Sequence, residues 1–553
     1  MDTASHIYDI IIVGAGPAGL AVAARLHERT PSALFTDSEH QRYHWMKASS
    51  SSLRTSRPAR STRRASTRQD RLLRGDSSID AGGLDIAVLD AHGDKWMSAW
   101  DEKFEQLKIS HLRSPMFFHP DPRDRDGLLG FVYQEGREKE LREIPGVVGK
   151  GLSKYQRKKS IKSGRYPQET SYLDERNRPD YYRPSQSVFQ AYCQDIVKRY
   201  NLSNLVQKSD VTSISHDSFS GIFTLQTSTG VKRARIVILA VGAALPPTLP
   251  PDCPFCGLEK AGSVTHAFRK RPSSPTLNTL PPHVLRKIQA GRPTNVVVVG
   301  GGLTSAQVTA TLLHQGVSKV HQLVRGPLKV RHFDLDLPWV GKYRNFHLAS
   351  FWGADSDHER ADMIREARGG GSITPEYKKI LHELVKSRRL ELREYTTITR
   401  ATWDEAAMCW EIGTEPQLEM PPIDHVVYAT GVVADFETVP AVQPLLEQYG
   451  IETVGGMPCL TDDLMWNDEV PLFVTGRLAG LRLGPAAGNL EGARQGAERI
   501  AWKVGELLKK WDGVDQNLED GYGREEEEEV DSRRLGLGLE NQFGVLGLSE
   551  VEC

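Results

Sequence analysis

Glycines carry the first chemistry of this chain. Gly14, Gly16 and Gly19 close the apolar run Ile10–Val13 and open an Ala/Leu-rich stretch, in the segment YDIIIVGAGPAGLAVAARL. Gly14 permits a tight turn, Gly16 lets backbone approach a diphosphate, and Gly19 lets the following helix pack close to its strand. The helix N-terminus then offers unpaired N–H groups and a partial positive charge to the phosphates, with Pro17 in its first turn. A second strand is expected at 33–36, ending in Asp37 where a ribose-binding acid belongs. A second such segment, NVVVVGGGLTSAQVTATLL, starts at Asn295. Its loop carries Gly300 and Gly302, then Thr304, with Ser305 in place of the third glycine. A small residue still allows close packing there. A chain that holds two dinucleotides usually passes electrons between them.

The acid position differs between the two segments. The strand expected at 320–324 ends in Arg325, with Lys329 and Arg331 nearby. An acid would hold a ribose 2′-hydroxyl, whereas arginine accommodates a 2′-phosphate. The second site is therefore expected to take NADPH; the competing view is that Arg325 is a solvated surface charge. Spacing alone does not separate FAD from NAD at the first site.

These motifs must be positioned by a doubly wound α/β scaffold. The chain has 553 residues, enough for two or three domains. Its formal net charge of −1 gives no reason to expect nucleic acid or an acidic membrane as partner. No apolar stretch reaches the ~20 residues that span a bilayer. The first residues, MDTASHIYD, do not read as a secretory signal. Six cysteines in so long a chain make no disulfide framework, and no ligand pattern for a metal site emerges. A cytoplasmic protein is expected, with a small-molecule substrate as partner and its oligomeric state open.

The expected organisation is interleaved. Residues 1–46 and 83–250 form the first part of one dinucleotide domain. Residues 47–82, dominated by Ser, Arg and Thr, form a disordered insertion. A Pro-rich connector, 251–294, leads to the second dinucleotide domain, 295–420. Residues 421–512 return to the first domain, beginning with a strand at 426–429, and 513–553 form an acidic tail with glutamates at 525–529. The crossings are apolar strands ending in small residues, Ala240-Val241-Gly242 and Ala429-Thr430-Gly431. A final helix, about 488–508, should bring its N-terminus to the cofactor, with Gly476, Arg477, Asn489 and Leu490 beside it.

The chain resembles the flavin-dependent N-hydroxylating monooxygenases, the lysine and ornithine N-hydroxylases, within the class B flavoprotein monooxygenases. The residues that carry the resemblance are Gly-x-Gly-Pro-x-x-Leu at 14–20, Arg42-Tyr43-His44-Trp45, and Asp424-x-x-x-Tyr428-Ala429-Thr430-Gly431. Leu107-Lys108 and Leu112-Arg113-Ser114-Pro115 are similar to the family's substrate-side stretch. Gly262 and His266 match part of the class B signature, in which Lys260 replaces phenylalanine. Val432 also departs from the family's tyrosine. The resemblance implies an NADPH domain inserted into a discontinuous FAD domain. It places FAD at the first fingerprint, with Arg42 and Trp45 at the flavin. It implies that NADPH reduces FAD, that O₂ adds to give a flavin C4a-hydroperoxide, and that a nucleophilic heteroatom, an amine nitrogen first of all, takes the distal oxygen. The cofactor carries the chemistry, so no catalytic side chain is required. His111, Arg113, His119 and Asn489 are the polar candidates facing substrate or flavin. The aromatic-rich stretch 96–119 is either a water-excluding lining or ordinary core. Two alternatives stay open: a disulfide reductase using Cys253 and Cys256, and a non-catalytic flavin-binding redox sensor.

Overall fold

A computed structural model describes residues 6–28, 83–144, 147–148, 175–242, 249–250, 253–255, 263–268, 280–339, 344–432 and 435–511. Asp37, Arg42, Trp45, Cys256, Gly262, the Ser/Arg-rich stretch and the acidic tail lie outside them.

The strand Ile7–Val13 is buried from Ile10 onward and feeds the helix Pro17–His27. It sits near the middle of a seven-stranded sheet. On one side it pairs in parallel with Ile86–Asp90, which pairs in turn with Val206–Lys208. On the other side it pairs in parallel with Gly230–Leu239. The far edge of Gly230–Leu239 is shared. Its first half meets the antiparallel strand Ile222–Thr227, and its last residues meet the parallel strand Leu472–Val474.

The second sheet is wholly parallel, in the order Leu390–Glu394, Lys319–Val324, Asn295–Val299, His425–Tyr428, Val264–His266. Val296 and Val298 pack into one apolar cluster and Val297 into another, as expected of a parallel strand covered on both faces. The hairpin Thr397–Asp404/Cys409–Glu415 closes the second face with the fully buried Trp410. The mixed α/β class, with two Rossmann-like sheets, is as the sequence led one to expect.

Three local expectations change. The strand beside the first fingerprint strand is Ile86–Asp90; its sequence, IAVLD, is an apolar run ending in an acid, the same pattern read at 33–37. The strand His425–Tyr428 does not return the chain to the first sheet, because its backbone pairs with Asn295–Val299 and Val264–His266. The Pro-rich connector therefore also supplies a strand of the second sheet, together with the helix Pro282–Gln289.

The first glycine of each fingerprint serves the same packing need. Gly14 has φ +110°, and a Cβ there would stand 2.5 Å from the carbonyl oxygen of Ala240. Gly300 has φ +146°, and a Cβ there would stand 2.5 Å from the carbonyl oxygen of Ala429. In each unit the loop thus lies directly on the end of the crossing strand. No side chain fits between them.

The helices Pro17–His27 and Leu490–Trp511 each follow a strand of the same parallel set, so both begin at its carboxyl edge. They pack together and are tied by a buried ion pair, Arg25 Nε to Glu498 Oε2 at 2.5 Å. Among the described residues no helix is long and apolar enough to cross a membrane.

Candidate active site

At the first fingerprint, Gly16 caps the helix in extended conformation and no side chain satisfies its first N–H groups. Nothing lies within 4 Å of where a Gly16 Cβ would be, so the cradle is open to a diphosphate. A Cβ at Gly19 would collide with the carbonyl oxygen of Gly14, which explains the third glycine. Pro17, in the first turn, gives up an N–H that has no helical acceptor. Asp90 ends the neighbouring strand. Its Oδ2 accepts from Ala15 N at 2.8 Å, and its Oδ1 accepts from His92 N and Gly93 N. This is where a ribose-binding acid sits in such units. The sequence reading passed over Asp90; the signal was present in IAVLD, displaced by the long stretch after the first helix.

At the second fingerprint, Gly302 caps the helix Leu303–His314, again without a side-chain cap. Ser305 is buried; its hydroxyl donates to Gly302 O at 2.7 Å and accepts from Gln322 Nε2. The Ser305 hydroxyl therefore shapes the loop from inside, and only its first-turn amide is left to face a ligand. Thr304 stands in the first turn, half-buried. Lys329 and Arg331 are also committed elsewhere. Lys329 Nζ donates to Gly369 O at 2.7 Å, and Arg331 donates to Ala367 O and Arg368 O, so both cap the C-terminus of the helix Asp357–Arg368. A helix C-terminus leaves carbonyls unpaired and attracts cations, which explains the capture. Arg325, at the end of its strand, is exposed and remains available to a 2′-phosphate.

The carboxyl edges of the two sheets meet. Arg477 of the first unit donates to Val432 O, just past Gly431, and Arg368 of the second unit donates to Pro485 O at 2.9 Å. Gly488 lies against both arginines. The Ala429–Gly431 turn is held by His266, whose Nε2–H donates to Gly431 O at 3.1 Å while Nδ1 accepts from Phe268 N. Burial lowers the His266 pKa, so the ring is neutral. Gly431 and Gly476 both have positive φ, at +85° and +76°, with open space where a Cβ would be. Asn489 Oδ1 accepts from Glu491 N and Gly492 N, capping the helix Leu490–Trp511. Asn489 Nδ2 is buried and has no acceptor among the described residues. The Leu490 side chain belongs to the core, so only its amide can face a ligand.

Of the remaining polar candidates, His111 and Arg113 line one cavity, whereas His119 lies in the interior. His119 is fully buried, with Nε2–H donating to Arg125 O; burial, reinforced by Arg494, pushes its pKa down to about 4. It is a neutral histidine held in the interior. Arg113 lines that cavity, but its guanidinium N–H groups are engaged by backbone carbonyls of the second unit. His111 lines a cavity of about 220 Å³ with Lys108, Arg183, Gln307, Glu376 and Tyr377. Burial, then Arg142 and Arg183, lower the His111 pKa. Glu376 is paired with Arg183 and Arg142. Lys108 has φ +51°, a left-handed conformation that follows the end of the helix Ser98–Gln106 and is usually given to glycine. Met116, Phe117 and Phe118 are buried, and Phe333 of the second unit joins the same apolar cluster through Tyr181. The aromatic stretch is thus core, and core that seals the junction between the units.

Comparison with known proteins fits this geometry. Residues 170–433 match the family model for L-lysine 6-monooxygenase/L-ornithine 5-monooxygenase. The chain is similar to the lysine and ornithine N-hydroxylases. Among solved structures, the ornithine hydroxylase of Pseudomonas aeruginosa matches with a TM-score of 0.56 at 16% identity, covering 91% of this chain and 100% of that one. The ornithine N-hydroxylase of Kutzneria sp. 744, whose structure holds reduced FAD, NADP⁺ and L-ornithine, matches with a TM-score of 0.56 at 14% identity, covering 91% and 100%. The FAD-bound cadaverine monooxygenase of Erwinia amylovora gives a TM-score of 0.54 at 15% identity, covering 90% and 94%. No curated protein matches the chain in sequence. The family match favours the monooxygenase reading over the disulfide reductase; Cys253 is buried.

Proposed function

We propose that this protein is a monooxygenase that uses FAD and NADPH to hydroxylate the nitrogen of a small amine. The observation that carries the reading is the matched pair of glycine loops, each seated on an Ala carbonyl, with their sheet edges joined by Arg477–Val432 and Arg368–Pro485. Gly16 and the first-turn amides after it would hold the FAD diphosphate, and Asp90 the ribose. Asn489 Nδ2 and the amide of Leu490 would face the flavin. Gly302 and the amides after it would hold the NADPH diphosphate, and Arg325 its 2′-phosphate. FAD, once reduced by NADPH, would supply activation of O₂.

The chain's own task is then binding, orientation and exclusion of water. The wall of Phe117, Tyr181 and Phe333 closes the junction with apolar rings. A dry site matters because water diverts the activated oxygen to peroxide. The cavity at Lys108 offers cations, a paired carboxylate, an amide and a phenol, which suits a small zwitterion. Neutral His111 there donates or accepts without repelling a cationic amine.

The test is direct. Purified protein should carry a yellow flavin that NADPH bleaches under nitrogen. In air, a screen of diamines and basic amino acids should give a hydroxylamine product in step with NADPH use. A flavin that NADPH reduces, with peroxide as sole product across that screen, would reject N-hydroxylation.

A further inference from the structure

Arg113 was a candidate for the substrate, and its geometry gives it another task. Its Nε donates to His332 O at 3.0 Å. Its NH2 group donates to Arg331 O at 2.9 Å, Phe333 O at 2.5 Å and Ser372 Oγ at 2.9 Å, and NH1 to Ser372 O at 3.5 Å. Four backbone carbonyls and one hydroxyl, all of the second unit, surround one guanidinium of the first. A planar fork with five N–H donors suits that task, and a lysine ammonium does not.

The segments it grips form a small ribbon. Arg331 N donates to Ile373 O and Ile373 N to Lys329 O, both at 2.9 Å. The ribbon runs into Gly371, where a Cβ would stand 3.1 Å from Gly302 Cα. Gly302 is the cap of the second diphosphate helix. A continuous path of backbone therefore joins Arg113 to the loop that would hold NADPH. On its own side, Arg113 follows Leu112, whose amide donates to Pro184 O at 3.0 Å, and precedes the Phe117–Tyr181 wall. Asp334 is the charge that favours its ionised form, opposing Arg331 and Arg368, and burial brings its pKa to about 10. The group stays cationic at neutral pH.

We propose that Arg113 is a positioning residue that fixes the ribbon 329–333/371–373, and with it the Gly302 loop, against the flavin-binding unit. The inference rests on the FAD/NADPH reading above. Its role is to keep the nicotinamide in register with the flavin, since an error of about 1 Å in such a transfer costs roughly 100-fold in rate.

The test compares wild type, Arg113→Lys, Arg113→Met and Ser372→Ala, each as purified holoprotein. Hydrogen exchange is measured over peptides spanning 329–333 and 371–373, and flavin reduction by NADPH is followed anaerobically by stopped flow. Arg113→Lys and Arg113→Met should retain FAD, exchange about 10-fold or more faster in these peptides alone, and reduce at least ~10-fold more slowly at saturating NADPH. Ser372→Ala, which removes one acceptor of five, should fall between them and wild type. Unchanged exchange, local exchange with unchanged reduction, or acceleration across the whole chain with loss of FAD would each overturn the proposal. If wild type itself is not reduced by NADPH, the FAD/NADPH reading fails, while the exchange data still report whether Arg113 holds the ribbon.

Discussion

Replacing Gly14 and Gly300 separately with alanine dissects the two dinucleotide sites. Each new methyl group would stand 2.5 Å from a strand carbonyl oxygen and 3.0 Å from its carbon, at φ +110° for Gly14 and +146° for Gly300. Backbone held in such a region costs about 1–3 kcal/mol for a residue with a side chain. The carbonyl cannot swing away, because Ala240 and Ala429 are themselves bonded to the fingerprint strands through Val13 O and Val299 O. Relief must come from the glycine loop, which is the part proposed to meet the diphosphate. A penalty of about 3 kcal/mol placed on the binding-competent loop weakens the cofactor roughly 100-fold. Gly14→Ala should therefore purify with little flavin and show that loss in FAD titration by fluorescence quenching. Gly300→Ala should keep its flavin, since its loop belongs to the other sheet, and lose NADP⁺ binding by a similar factor. If Gly14→Ala retained FAD with wild-type affinity, or if Gly300→Ala lost FAD instead, the assignment of the two loops would be refuted.

Other expectations follow from single contacts. Breaking the buried Arg25–Glu498 pair by Arg25→Met or Glu498→Gln should cost about 3–5 kcal/mol in urea unfolding, and the double Arg25→Met/Glu498→Met variant should recover most of it. Equal losses in the single and double variants would deny the coupling. Arg325→Ala should raise the KM for NADPH about 10- to 100-fold and leave that for NADH nearly unchanged, the worth of a charged hydrogen bond to a phosphate. His119 takes up its proton near pH 4 when folded and near 6.5 when unfolded. Between those values the unfolded state binds more protons, so stability contributed by the buried neutral ring is present above about pH 6.5 and is lost as pH falls toward 4, by up to about 3 kcal/mol. His119→Gln should flatten that slope in denaturant unfolding at pH 4.5 to 7.

The glycine loops and crossing strands were legible because they obey local rules: an apolar run, a turn that needs glycine, a helix. Gly14 and Gly300 needed no knowledge of the rest of the chain. Asp90 was hidden because a long polar stretch separates it from the helix it belongs beside, and an earlier acid, Asp37, satisfied the expected spacing. Lys329 and Arg331 had the right charge in the right segment, yet the helix end at Ala367–Gly369 claims them, and its approach is a tertiary event. Arg113 was singled out as a cation near a substrate stretch. Its partners are carbonyls more than two hundred residues away, and carbonyls leave no mark in a sequence.

The central claim is that nicotinamide and flavin meet at the joined sheet edges and that reduced flavin there activates oxygen. Rapid mixing of NADPH-reduced, NADP⁺-bound protein with aerated buffer tests it most directly. The account predicts a species spectrally distinct from both oxidised and reduced flavin that persists and decays faster when the amine substrate is added. Direct return to oxidised flavin, at a rate indifferent to NADP⁺ and to any amine, would contradict it.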